Sequence, residues 1–255
     1  MTQKIDTILF DLDGTLLQFS LAAFIEAYFG RLSKVFLKLG MDAGASVNAV
    51  WAGTKAMMLN DGSRTNAERF WSTFSEHMRL TGSQRETVEA ACDDFYTNDF
   101  DAVKSVLTPC EVSGRLVRSL NANGYSVVLA TNPLFPACAV TTRLKWIGLV
   151  PEDFLFITHY SNSAYCKPNP GYYREIFSQI DRRPEQCLMA GNNPVEDMSV
   201  GELGAETFLV TDYLENESGA DISTYRCGTI AELEMYLKYH ARGRTGTATH
   251  TDTGY

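Results

Sequence analysis

Two hydrophobic periodicities divide the chain. From Leu16 to about Ala102 apolar residues recur at intervals of three and four, as in Leu21, Phe24, Ile25, Tyr28, Phe29 and Leu32, and the series runs on through Phe36 and Leu39 to Gly40. That spacing lines one face of a helix. Further helices are predicted over 45–59, 66–80 and 84–96, divided by the turn clusters Asn60-Asp61-Gly62-Ser63 and Thr81-Gly82-Ser83. After Thr108-Pro109 the pattern changes to short apolar strands (125–130, 154–158, 187–190, 207–210) separated by helical stretches (112–121, 134–147, 171–179, 194–203) and a terminal helix near 230–240. Such alternation implies an α/β fold, a parallel sheet with helices on both faces. A first strand over 5–10 must join that sheet across the helical stretch. The predicted domains are an α/β core from 1–16 and 103–241, with 17–102 as a helical insert. The tail, 242–255, is rich in Gly and Thr without apolar periodicity and is expected to lack stable order.

Composition narrows the classes of partner. The 255 residues carry 22 Lys and Arg against 31 Asp and Glu, a net charge of -9, with no basic run. A nucleic-acid surface needs clustered cations, so none is expected. No apolar run approaches the roughly 20 residues of a membrane span, and the first ten residues lack a signal peptide's apolar region, so the expected location is the cytoplasm. Six dispersed cysteines show no metal-ligand spacing and read as reduced thiols. Cys166, beside Lys167, is the one with a candidate activating cation.

The chemistry begins at the first strand, whose apolar run Ile8-Leu9-Phe10 ends in Asp11, Leu12, Asp13 and Gly14. Side chains two apart on a strand share a face, and Gly14 lets the backbone turn away. Two carboxylates aimed at one point form either an acid/nucleophile pair or a cation site. A calcium loop starting at Asp11 would need an acid at its twelfth position, which is Ala22. Three later strand ends carry residues suited to a phosphate: Thr131-Asn132 in ATNP, Lys167 in CKPNP, and Gly191 to Asp197 in GNNPVED. A hydroxyl and an amide donate to phosphate oxygens without adding negative charge, and Lys supplies a cation.

Together FDLDGT, ATN, CKP and GNNPVED resemble, in order, the four motifs of the haloacid dehalogenase (HAD) superfamily, and the helical stretch after the first motif resembles that family's helical cap. The resemblance implies a Rossmann-like (HAD-like) parallel sheet plus an α-helical cap domain. It implies that Asp11 is the nucleophile, that Asp13 protonates the leaving group and then activates water, that Thr131 and Asn132 bind phosphoryl, and that Lys167 holds Asp11 and the phosphate together. Mg²⁺ would be held by Asp11, Asp13, Asn192 and Asp197. The dehalogenases of the family lack the second acid, so Asp13 favours a phosphohydrolase acting on a small phosphorylated metabolite. A phosphomutase on the same residues and a non-catalytic binding protein are the alternatives. Sugar phosphates, phosphoglycolate and nucleotides all stay open as substrates.

One residue departs from the pattern. The commonest fourth motif has Asp after its glycine, where this chain has Asn192. With Asp11, Asp13 and Asp197 set against Lys167 and Mg²⁺ the site is expected to be near neutral, and to hold the metal more weakly. Glu196 is expected to face water. The aromatics Phe24, Tyr28, Phe29, Trp51, Phe70, Trp71 and Phe74 are expected to form mainly the insert's own core, and Lys55 and Arg64 are candidates to reach a substrate.

Overall fold

The computed structural model describes residues 5–245, with side chains described up to Tyr239. Its frame is a six-stranded sheet in the order β3-β2-β1-β4-β5-β6, every pairing parallel. The strands are β1 (Thr7–Phe10), β2 (Ser126–Leu129), β3 (Phe156–Ile157), β4 (Cys187–Gly191), β5 (Glu206–Val210) and β6 (Cys227–Gly228). β1 is central and buried along its whole length, which is why it reads as an unbroken apolar run. Alternation along the strands sorts the two faces. Ile8, Phe10, Val127 and Leu129 join one apolar cluster with α5 (Glu111–Ala122), α6 (Ala137–Trp146) and α8 (Ile230–Thr245). Leu9, Val128 and Met189 join the other with α7 (Pro170–Ile180).

Register sets the site. Phe10 pairs with Leu129 on one side and Ala190 on the other, so β1 and β2 end level and β4 runs one residue further, to Gly191. The order reverses between β1 and β4, and such a switch point opens a crevice at the carboxyl ends of the strands. Between β1 and α5 lie α1 (Leu21–Lys38), α2 (Ala43–Met58), α3 (Asn66–Met78) and α4 (Gly82–Asp94). Their aromatic side chains, among them Phe24, Phe36 and Phe74, belong to the same continuous apolar cluster as one face of the sheet. The start of α3 is fastened to the crevice. The Asn66 and Ala67 amides donate to the carbonyls of Ser163 and Tyr160, and the buried Asn66 side chain donates to the Pro133 and Tyr165 carbonyls.

Several expected boundaries move. The helix expected over 194–203 is a turn followed by a 3-10 segment, Met198–Leu203. The Asn193 side chain takes the amides of Val195 and Glu196, and Asp197 takes that of Asn193, so side chains replace the helical ladder there. α6 starts at Ala137 instead of 134, because Pro133 and Pro136 bias the residues before them away from helix. The last insert helix passes into a π turn, Phe95–Asp99, and a 3-10 segment, Phe100–Val106. β6 was not expected; two residues are too short for a periodicity signal. α8 continues to Thr245, so residues 242–245 of the expected tail are helical, and 246–255 lie outside the described residues. Among the described residues no helix is long and apolar enough to cross a membrane.

Candidate active site

Asp11 leaves the end of β1 with its amide bonded to the Ala190 carbonyl at 2.9 Å. Its Oδ1 accepts from Lys167 Nζ at 2.8 Å, and the same ammonium donates to Asp197 Oδ1 at 2.6 Å. Lys167 is 1% exposed. Burial works against its charge, but the carboxylates of Asp11 and Asp197 more than offset this and hold Lys167 well above the usual lysine range. Burial raises the Asp11 carboxyl, Lys167 opposes that rise, and Asp197 adds to it. The Asp197 Oδ2 accepts the Asn193 amide at 2.9 Å. Gly191 allows this closeness, since a Cβ there would fall 2.2 Å from the Asp197 Cγ. Gly14 has a second such role: with φ at +80°, its missing Cβ would lie 2.1 Å from Asn192 Nδ2.

Asp13 has a partner that the sequence reading missed. Its Oδ2 accepts from Arg143 Nη1 at 2.5 Å, and Arg143 is fully buried in α6 with its guanidinium 4.4 Å from the centre of the Phe135 ring. Asp13 Oδ1 is buried and has no hydrogen-bond partner among the described residues. A signal was present: Val140, Arg143, Leu144 and Ile147 share the apolar face of one helix, and a charge on such a face asks for a buried partner.

Asp11, Asp13, Thr131, Asn132, Asn192 and Asp197 all line one cavity of about 280 Å³, and Lys167 backs it. The expected site residues are thus brought together. The Thr131 carbonyl is fixed by Thr158 Oγ1 at 2.6 Å and the Tyr172 hydroxyl at 2.8 Å. Asn132 Nδ2 donates to Glu196 at 3.0 Å, and its Oδ1 is buried without a partner among the described residues. Glu196 is therefore half-buried in the site instead of facing water. Glu215, from the loop after β5, also lines the cavity, its amide bonded to the Asn192 carbonyl at 3.0 Å. Burial, with Glu196, Asp13 and Asp197 nearby, pushes its carboxyl up to about 7. Its position just beyond a strand end was the available clue. More acids meet here than the three counted from the sequence: six carboxylates line the cavity, Asp93 from the insertion among them, with Lys167 and Arg143 behind those at the strand ends.

The seven insert aromatics wall the far side of this cavity. Phe24, Tyr28, Trp71 and Phe74 are buried and are core as well as wall, while Trp51 is 46% exposed at its edge. Lys55 and Arg64 are exposed and lie outside its lining. Cys166 is buried, which pushes its thiol up to about 12, so it is not an activated nucleophile.

The sequence pattern of haloacid dehalogenase-like hydrolases matches residues 5–203. The chain belongs to this family. Among solved structures, the HAD phosphatase of Thermococcus onnurineus is similar at 16% identity, covering 91% of this chain and 98% of that one, with a TM-score of 0.56. The 2-haloacid dehalogenase of Pseudomonas syringae pv. Tomato DC3000 is similar at 14% identity, with 92% and 99% covered and a TM-score of 0.61. A putative HAD hydrolase of Bacillus subtilis, solved bound to magnesium, is similar at 20% identity, with 92% and 100% covered and a TM-score of 0.57. At these identities the likeness shows a shared HAD fold. No curated protein matches the sequence.

The donor set of this HAD site can be tested against a magnesium ion. Among the described residues no three His, Cys, Asp or Glu side chains converge as a metal-binding group. Oxygen donors of the right hardness are nevertheless present: the second Asp11 oxygen, the Asp13 carbonyl and Asn192 Oδ1, beside the partnerless Asp13 Oδ1 and a surplus of carboxylates. Hard oxygens with excess negative charge fit Mg²⁺. Asn192 Oδ1 already receives a long 3.3 Å bond from Thr15, and its Nδ2 donates to the Tyr213 carbonyl at 2.6 Å, so the amide is held in place.

Proposed function

We propose that the chain is a phosphohydrolase that transfers the phosphoryl group of a small phosphomonoester to Asp11 and then to water. The observation that carries this reading is the set of Asp11, Asp13, Thr131 and Asn132 on one cavity wall with Lys167 bonded to Asp11 at 2.8 Å. An Asp11 carboxylate oxygen attacks phosphorus while the ester oxygen departs with a proton from Asp13, leaving an aspartyl-phosphate. Water then attacks that phosphorus, gives its proton back to Asp13 and frees Asp11 and phosphate. Oδ1 is the Asp13 oxygen suited to carry the proton, because Oδ2 is held by Arg143. Arg143 fixes the orientation of Asp13, and Lys167 offsets charge as a carboxylate approaches an anion. Mg²⁺, held by Asp11, the Asp13 carbonyl and Asn192, would supply electrostatic stabilisation of the phosphoryl oxygens when bound. Asp197 places both its oxygens on Lys167 and the Asn193 amide, so its part is to position Lys167.

The test is phosphate release from an aryl phosphate and a panel of small phosphomonoesters, with and without Mg²⁺, for wild type and Asp11→Asn. Metal-dependent release that falls at least about a thousandfold in Asp11→Asn is the expected result. Equal rates in the two proteins would remove Asp11 as nucleophile, and with it this mechanism.

A further inference from the structure

The cavity that starts at Asp11 and Asp13 continues into the insertion, and its chemistry changes along the way. On that side its wall includes Phe24, Leu32, Val50, Trp51, Phe70 and Phe74. Among the described residues no Lys, Arg or His lines any part of it. Few polar groups are found there: Tyr28 and Tyr96 bond each other at 2.6 Å and Thr54 donates to the Val50 carbonyl at 2.9 Å, which leaves the Asp93 carboxylate and the Trp71 indole N–H, the latter without a partner among the described residues. Leu21, Trp51 and Met58, each between 42% and 48% exposed, give the cavity an apolar edge toward solvent.

We infer that the insertion side of the cavity is a subsite for an apolar organic group, so that the phosphomonoester is the ester of an aryl or medium-length alkyl alcohol. This rests on the phosphohydrolase reading for the ester and on the cavity lining alone for the apolar group. A sugar ring entering here would give up the water hydrogen bonds of several hydroxyls for little more than the Trp71 indole N–H and the Asp93 carboxylate. A nucleotide would in addition bring charge to a wall without cations, and about 280 Å³ is at the small end of ligand pockets. An alkyl chain or a single aromatic system loses nothing on leaving water and gains contact with each wall side chain.

The experiment measures kcat/KM for methyl, butyl, hexyl and octyl phosphate, with ribose 5-phosphate and glucose 6-phosphate beside them, and separately the binding of octan-1-ol by tryptophan fluorescence. A rise of about threefold to fourfold per methylene is expected, with both sugar phosphates at least about a hundredfold below octyl phosphate. Octan-1-ol should bind and compete with octyl phosphate. Trp51→Ala should cut the octyl-to-methyl ratio by about tenfold and Trp51→Phe should restore most of it, and the exposure of Trp51 makes both tolerable to the fold. Phosphate release that ignores chain length overturns the subsite while leaving the phosphohydrolase reading intact. Octan-1-ol binding without turnover of any ester overturns the phosphohydrolase reading and keeps the subsite. No binding of octan-1-ol overturns the subsite, whatever the turnover.

Discussion

At the strand ends Lys167 lies between two carboxylates at 2.8 and 2.6 Å and Arg143 grips a third at 2.5 Å, whereas the insertion end of the same cavity is held by ring packing such as Phe36 on Phe74, with centroids 5.8 Å apart. The first end depends on partners whose loss strands a charge out of water, and the second on filled volume. Buried ion pairs fail steeply when one member goes, because the other stays charged and unsolvated. Apolar walls tolerate exchange of shape for shape. The charged end therefore fixes what reaction the site can perform, and the apolar end is free to set what enters it.

The largest expected effect separates the two ends. Lys167→Met leaves Asp11 and Asp197 buried together without a cation and should lower stability by about 3–5 kcal/mol, read as the urea midpoint. A loss below about 1 kcal/mol would mean that water reaches these carboxylates, and the contrast between the ends would disappear. Within the charged end the two pairs should differ. Asp13→Asn strands a guanidinium that is fully buried, while Arg143→Met leaves a carboxylate that is 26% exposed. The Asp13 variant should be the less stable of the two, and the reverse order in thermal melts would count against a dry Arg143.

At the apolar end the Tyr28–Tyr96 hydroxyl pair gives an intermediate effect. Tyr28→Phe orphans a buried hydroxyl and should cost about 1–3 kcal/mol, but the double variant with Tyr96→Phe should recover most of that loss. A double variant as weak as the sum of the singles would show that this end, too, depends on polar partners.

The smallest effect is expected at Glu215. Its carboxyl is raised to about 7 from an ordinary 4.5, so in the folded chain it holds a proton that the unfolded chain has released. The stability it contributes is present below about pH 4.5 and lost as pH rises to about 7. In chelator, Glu215→Gln should melt a few degrees above wild type at pH 8 and together with it at pH 4. Coincident melts at both pH values would mean that the burial of Glu215 carries no charge penalty.

Strand β1 with its two aspartates, the three later polar strand ends and the sheet itself could all be read from the chain. A buried parallel strand is an apolar run and a strand-end loop is a short polar interruption, and both are local. The helix expected over 194–203 failed for a local reason of another kind, since side-chain bonds from Asn193 and Asp197 compete with a helical ladder whose periodicity looks the same. The aromatics of the insertion form the core expected from their spacing, and the same faces also wall the cavity. Period 3.6 states which face of a helix avoids water, and is silent on whether that face meets another helix or an open cavity.

The sequence by itself determined the fold class, the family and the four loops that meet at the switch point, because each rests on patterns no longer than one strand and its turn. Only the tertiary structure decided that Arg143 grips Asp13 across 130 positions of chain, that Glu196 and Glu215 join the carboxylates, and that the aromatic faces of the insertion enclose the space above Asp11. Those outcomes depend on which surfaces face one another once the sheet has closed. Pairwise distance in space is the one quantity that hydrophobic periodicity does not carry.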